Sequence, residues 1–393
     1  MPPTAARLRE LPPYPFVAIN QRIRELTAKG IDVIKLDVGS PDMPPPPVVI
    51  ETLSASARRD DRHGYAGYKG TTAFREAVAQ YYQRRFGVFL DPETQVLPLI
   101  GSKEGIVNLC LAYLDHTSVA LVPEIAYPPY FMGAYLAGSA VHWLPAPPPH
   151  FLPQLNAVPE TILKRARLLW VNYPNNPTGA TVSQETYQQL VAFCLENDIL
   201  LASDSPYVDV TFDGYRAPSA LQATGALDCT VEFISFSKTY NMAGWRLGAA
   251  VGASSAIAAL LQVKSNVDSG HFHAIYEAGI AAITSTSDEW LAKRNAIYAN
   301  RRERILEALP SIGLHAEKPS GSMYVWARVE RQDWNGAVYN DRALSEAHVS
   351  LAPGAMYGPG GDRYLRFSLG VPDARLDTAL ERLKLWYANH HER

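Results

Sequence analysis

The chain has 393 residues, 47% of them hydrophobic and 19% charged, with a formal net charge of −3. A chain this long holds about two to three domains, and its composition builds a sizeable core and excludes intrinsic disorder. The small negative charge, with no long basic run, speaks against nucleic acid or an anionic membrane surface as a partner.

No apolar run reaches the roughly 18 residues of a membrane span. Met1-Pro2-Pro3-Thr4 carries no basic-then-apolar leader pattern. The three cysteines, Cys110, Cys194 and Cys229, stand far apart. They read as small buried side chains in a reducing compartment, so a cytoplasmic setting is expected.

Residues 1–30 begin proline-rich and then predict a helix, Ile19 to Lys29, closed by Gly30. Residues Ile31 to Gly39 alternate as a strand, and the prolines Pro44 to Pro47 turn the chain. Val48 to Arg59 predicts a helix, followed by a loop rich in tyrosine and glycine, Gly64-Tyr65-Ala66-Gly67-Tyr68-Lys69-Gly70. A long helix comes next, capped by Thr71 or Thr72, with Phe74, Val78, Tyr81 and Tyr82 at helical spacing.

From about residue 95 to 252, short apolar runs alternate with helical stretches: Val96–Ile100, Val119–Val122, Val141–Leu144, Leu168–Asn172, Ile199–Ser203, Phe233–Phe236 and Leu247–Val251. Such runs predict an α/β fold, a mostly parallel seven-stranded sheet covered by helices on both faces. Asp288 to Leu309 predicts one long helix with Trp290, Ile297 and Ile305 on one side. Met323–Val329 and Tyr364–Leu369 predict strands, and Ala374 to Ala388 a final helix. The expected division is a large domain over 46–284 and a smaller α+β domain built from both chain ends, 1–45 and 285–393.

Ligands of open parallel sheets bind beyond the carboxyl ends of the strands. There the runs deliver Gly101-Ser102-Lys103, Tyr127, Tyr173-Pro174-Asn175-Asn176-Pro177-Thr178-Gly179, Asp204 with Tyr207, and Ser235-Phe236-Ser237-Lys238. A lysine held between strands and desolvated, or set beside another cation, is pushed toward its neutral, nucleophilic form. Two serines and Arg246 suit one phosphate, and the helix start at Ser102 offers free amides to the same anion. Taken singly each feature has an ordinary structural explanation, as a cap, a turn or loop packing. Together they suit pyridoxal phosphate, an aldehyde with a phosphate arm.

The set Tyr173–Gly179, Asp204-Ser205-Pro206-Tyr207, Ser235-Phe236-Ser237-Lys238 and Gly244-Trp245-Arg246 resembles the signature of the class I/II aminotransferases, pyridoxal phosphate enzymes of fold type I. The resemblance implies that Lys238 holds the cofactor as a Schiff base. It places Asp204 on the pyridine nitrogen and Asn176 and Tyr207 on the ring phenolate, while the Tyr127 ring can stack on the pyridine face. It puts Ser102, Lys103, Ser235, Ser237 and Arg246 around the phosphate. It also implies a homodimer in which Tyr65 reaches the partner's phosphate. Arg366 would clamp the substrate α-carboxylate, with Gly39 and Asn176 beside it.

The implied reaction is ping-pong transamination between an amino acid and a 2-oxo acid, with Lys238 as general base and acid. The phosphate turn and the Tyr65 loop resemble the LL-diaminopimelate aminotransferase branch, which implies 2-oxoglutarate as acceptor. An alanine- or aspartate-type aminotransferase remains an alternative. So does β-elimination by a C–S lyase on the same fold, and so does a non-enzymatic regulator that senses the cofactor. The segment Ser265 to His273 is expected near the site and lining a pocket for the donor's tail. His271 and His273 lack further ligands in a recognisable spacing, so no metal is expected.

Overall fold

The seven apolar runs become one sheet in the computed structural model, which describes residues 1–5, 7, 8, 11 and 16–391. The proline-rich stretch 12–15 lies outside the described residues. Among the described residues thirteen strands are numbered in chain order, beginning with β1 (Ile34–Lys35). The large sheet holds β2 (Val96–Leu99), β3 (Val119–Pro123), β4 (Ala140–Leu144), β5 (Ala166–Asn172), β6 (Leu200–Asp204), β7 (Thr230–Ser235) and β8 (Gly248–Gly252), in the order β2-β8-β7-β6-β5-β3-β4. All its pairings are parallel except those of β8, which runs antiparallel to both neighbours.

Successive residues of these strands enter opposite cores, as the two-residue period of a strand requires. Val119, Leu121, Leu169 and Val171 join one cluster, while Ala120, Val122, Leu168 and Trp170 join the other. Burial on both faces is why the runs are continuously apolar rather than alternating. The helix Thr72–Phe86 covers one face, and Thr71 caps it by accepting Phe74 N–H at 3.3 Å. Such a cap contributes about 1 kcal/mol.

The C-terminal part builds a second sheet from β9 (Leu314–His315), β10 (Tyr324–Val329), β12 (Ala352–Pro353) and β13 (Tyr364–Ser368), all antiparallel, in the order β12-β13-β10-β9. β1 pairs in parallel with β11 (Val349–Ser350), and Ile34 and Leu36 pack into the core beneath this sheet. Among the described residues no helix is long and apolar enough to cross a membrane. All three cysteines are free and buried.

Two expectations need correction. The strand over Ile31–Gly39 forms a ladder only at Ile34–Lys35. Beyond it the backbone serves side chains instead, with Asp37 O accepting Arg366 Nη2 and Gly39 O accepting Lys238 Nζ. The long helix, Asp288–Ala308, does not turn Trp290 and Ile297 inward; Ile297 is 37% exposed. Its buried stripe is Arg294, Tyr298, Arg301, Arg302 and Ile305. Arginines win there because each guanidinium finds fixed acceptors, such as Asp42 for Arg301 and Asp213 for Arg302.

Candidate active site

The strand ends converge on a cavity of about 350 Å³. Of the predicted site residues, Gly39, Ser102, Lys103, Tyr127, Asn176, Asp204, Tyr207, Ser235, Ser237, Lys238, Arg246 and Arg366 line it. Tyr65 does not; it stands on the 63–70 loop, 89% exposed.

Lys238 sits in a single helical turn, Phe236–Thr239, directly after β7. The turn is tied at its start, where Ser235 Oγ accepts Ser237 N–H at 3.3 Å. Arg294 ties it from behind, donating through Nη1 to Lys238 O at 2.7 Å and through Nη2 to Asp209 O at 2.6 Å. Burial pushes the Lys238 amine down to about 7, helped by the positive charges of Arg366 and Arg246. An amine so placed is substantially neutral at physiological pH, which a nucleophile or a proton acceptor must be.

Asp204 ends β6, next to Asn172 at the end of β5. Tyr130 OH donates to its Oδ2 at 2.6 Å, and Tyr130 is itself stacked on Trp170 at 4.8 Å. Oδ1 is buried without a hydrogen-bond partner. Burial raises the Asp204 carboxyl to about 7, with the Tyr130 hydrogen bond opposing. A buried carboxylate oxygen with no donor is costly, and a protonated ring nitrogen supplies the missing donor and the missing charge.

The opposite end of the cavity suits an anion. The helix Ser102–Tyr113 begins there behind Gly101, which has φ +73°. A Cβ on Gly101 would collide with the Arg246 guanidinium, and one on Gly248 would stand 3.1 Å from Ser102 N. The two glycines therefore let a helix N-terminus, Arg246 and Lys103 crowd one point. Two cations and free amides match a phosphate dianion. With the unsatisfied Asp204 Oδ1, this donor set fits pyridoxal phosphate. Gly101→Ala is expected to weaken cofactor affinity by about tenfold or more, since it adds both a clash and a left-handed alanine. An absorbance titration of the apoenzyme checks this, and an unchanged Kd would refute the role given to the gap.

Arg366, on β13, is 3% exposed. Nη1 donates to Asn176 Oδ1 at 2.8 Å and Nη2 to Asp37 O at 2.7 Å. Its Cζ lies 3.9 Å from the Tyr324 ring centroid, and Nε is buried without a partner. Fixed in this way, the fork keeps N–H groups over for a carboxylate. Gly39 admits it closely, because a Cβ there would stand 2.8 Å from the Tyr324 hydroxyl. That hydroxyl lies 3.0 Å from Tyr207 OH. Burial raises the Tyr207 phenol well above its ordinary range, so it stays a neutral donor.

The segment 265–273 departs from expectation, for none of it lines the cavity. His271 lies behind the phosphate end, its Nε2 3.2 Å from Leu99 O. Asp268 holds Lys264 at 2.7 Å and caps Gly270 N–H at 2.8 Å, which turns the segment outward. Among the described residues no three His, Cys, Asp or Glu side chains come together as metal ligands.

Sequence reasoning missed Tyr130, Tyr324 and Arg294. Arg294 carried a usable signal, since it falls in helical register with Tyr298 and Ile305. Tyr130 and Tyr324 carried none, being aromatic residues in apolar surroundings.

A model of the family "Aminotransferase class I and II" matches residues 31–383. The LL-diaminopimelate aminotransferase of Moorella thermoacetica is 45% identical over 381 residues, 97% of each chain. That of Gloeobacter violaceus is 44% identical, again over 97% of each chain. Among solved structures, apo-BacF from Bacillus subtilis superposes with a TM-score of 0.94 at 32% identity, covering 98% of this chain and 99% of the other. An aspartate aminotransferase from Thermus thermophilus gives 0.91 at 28% identity, covering 98% and 100%.

Proposed function

Because the chain belongs to the class I and II aminotransferases, a pyridoxal phosphate-dependent family, we propose that it transfers the amino group of LL-diaminopimelate to 2-oxoglutarate through a site centred on Lys238. The donor reading is supported by the relatives' names and by an identity of 45% spread over 97% of the chain. The site reading is carried by one observation: Lys238, Asp204 with its unpartnered Oδ1, and Arg366 line a single cavity.

When bound, the cofactor supplies an aldehyde for Lys238 and an electron-accepting ring. The protein does the rest. Lys238 Nζ, with its pKa near 7, takes the proton from the donor's Cα and later returns it. Arg366 holds the α-carboxylate in its planar fork and so fixes which face of Cα meets the lysine. Asp204 would keep a proton on the ring nitrogen, while Asn176 and the neutral Tyr207 would donate to the phenolate oxygen. Ser102, Lys103, Ser235, Ser237 and Arg246 would hold the phosphate, and Tyr127 would cover the ring.

We further assign residues 46–284 to a large domain and 1–45 with 285–393 to a small one. We also assign a homodimer in which the exposed Tyr65 reaches its partner's phosphate site, which sedimentation equilibrium tests. A cytoplasmic setting belongs to the same reading and is supported by the three free, buried cysteines.

The donor is tested by mixing holoenzyme with single amino acids and following the absorbance of the lysine-bound cofactor. LL-diaminopimelate should discharge it fastest, and 2-oxoglutarate should restore it. Faster discharge by alanine or aspartate would overturn the donor; pyruvate and ammonia released without an acceptor would indicate a lyase. Arg366→Lys should lower kcat/KM by about 100-fold with every donor, because an ammonium cannot fork a carboxylate. A loss below about threefold would mean that another group binds the α-carboxylate.

A further inference from the structure

Lys35, Asp37, Val38 and Gly39 line the cavity, whereas Ile34 and Leu36, on either side of Lys35, enter the core. The backbone here is extended, with Ile34 N–H donating to His348 O at 2.9 Å and Leu36 N–H to Ser350 O at 2.8 Å. Alternate residues of an extended chain face one side, at steps of roughly 6–7 Å. This ladder begins at the reacting end, where Gly39 O receives Lys238 Nζ and Asp37 O receives Arg366 Nη2. It then runs away from the lysine to Lys35, and Asn20 and Phe16 line the same cavity.

Asp37 is 4% exposed. Its Oδ2 accepts Ser350 Oγ at 2.9 Å, but Oδ1 is buried with no donor. Burial raises its carboxyl above the ordinary range, and the positive charge of Lys35 opposes this. An acceptor lacking a donor and a cation one step further on make a charged wall that the transamination chemistry itself does not require.

We propose that Lys35 and Asp37 read the far end of the amino donor, Asp37 Oδ1 accepting from a distal ammonium and Lys35 pairing with a distal carboxylate. This rests on the site reading above and specifies its substrate class: an α-amino acid carrying a second ammonium and a second carboxylate about one ladder step, roughly 6–7 Å, from the first.

The test uses holoenzyme and four donors: LL-diaminopimelate, L-lysine with a distal ammonium only, L-2-aminopimelate with a distal carboxylate only, and L-norleucine with neither. Asp37→Asn should lower kcat/KM for LL-diaminopimelate and lysine by about 100-fold, and for norleucine at least about tenfold less. Lys35→Met should give the mirror pattern on 2-aminopimelate. It should also loosen pimelate, titrated spectrally as a competing ligand, by about tenfold more than hexanoate. Equal losses with all four donors would mean that Asp37 only balances the charge of Arg366, and would overturn the proposal, as would no loss at all. If the wild type refuses LL-diaminopimelate but uses lysine in an Asp37-dependent way, the donor named above falls and this subsite stands. If the wild type uses LL-diaminopimelate and neither variant discriminates, the subsite falls and the donor stands. Should Asp37→Asn fail to fold, Lys35→Met with the pimelate titration decides.

Discussion

Lys238→Ala is expected to lower turnover by about four orders of magnitude or more, because it removes both the group that binds the cofactor covalently and the base that moves the Cα proton. Borohydride should fix cofactor to the wild-type chain, raising its mass, and leave the variant unmodified. Methylamine should restore part of the rate in the variant, since a small amine can enter the space the side chain vacates. Retained turnover, or cofactor fixed in the variant, would reject the assignment. The lowered pKa adds a pH signature. The amine titrates near 7 rather than at its ordinary 10.5, so only the neutral fraction below pH 7 limits its reactivity. Capture of cofactor by the apoenzyme should therefore quicken as pH rises to about 7 and then level off. A rate still climbing at pH 9 would show an ordinary lysine.

Asp204→Asn should cut turnover by about 100-fold or more and yet stabilise the apoenzyme at alkaline pH. The rate falls because a neutral amide cannot hold a proton on the ring nitrogen, and without it the ring accepts electrons poorly. The stability gain follows from the raised carboxyl, near 7 in the fold against 3.8 ordinarily. Between those values the folded state binds the extra proton, so the group favours the fold at low pH. That contribution is lost as pH rises through 7, where a buried anion must form. Asparagine never ionises. In thermal melts of the apoenzyme, the variant's advantage in Tm should accordingly be larger at pH 8 than at pH 5. A gap that stays constant with pH would mean that Asp204 is already satisfied without the cofactor.

The convergence of the strand-end motifs on one cavity was legible because their pattern is local. A phosphate cradle needs small hydroxyl residues, a glycine turn and an arginine within a few positions of a strand end, and Gly101-Ser102-Lys103 and Ser235–Arg246 display those in order. The sheet was legible because burial on both faces leaves the strands nothing but apolar residues. The rest of the cavity wall was not legible. The segment 265–273 was expected beside the site, but the Lys264–Asp268 pair and the cap on Gly270 keep it out of the cavity wall. The N-terminal stretch 35–39, which read as a plain strand, supplies cavity wall instead.

The residues alone thus determined the layered sheet and brought the lysine, the aspartate and the glycine turn to its strand ends, since each follows from short-range patterning. Only the folded chain decided that Asp204 lacks a donor on Oδ1, that Arg294 steadies the Lys238 turn from 56 residues away, and that Lys35 and Asp37 line the same cavity. Those facts depend on which side chains meet across large separations in the chain, and neither periodicity nor propensity records such meetings.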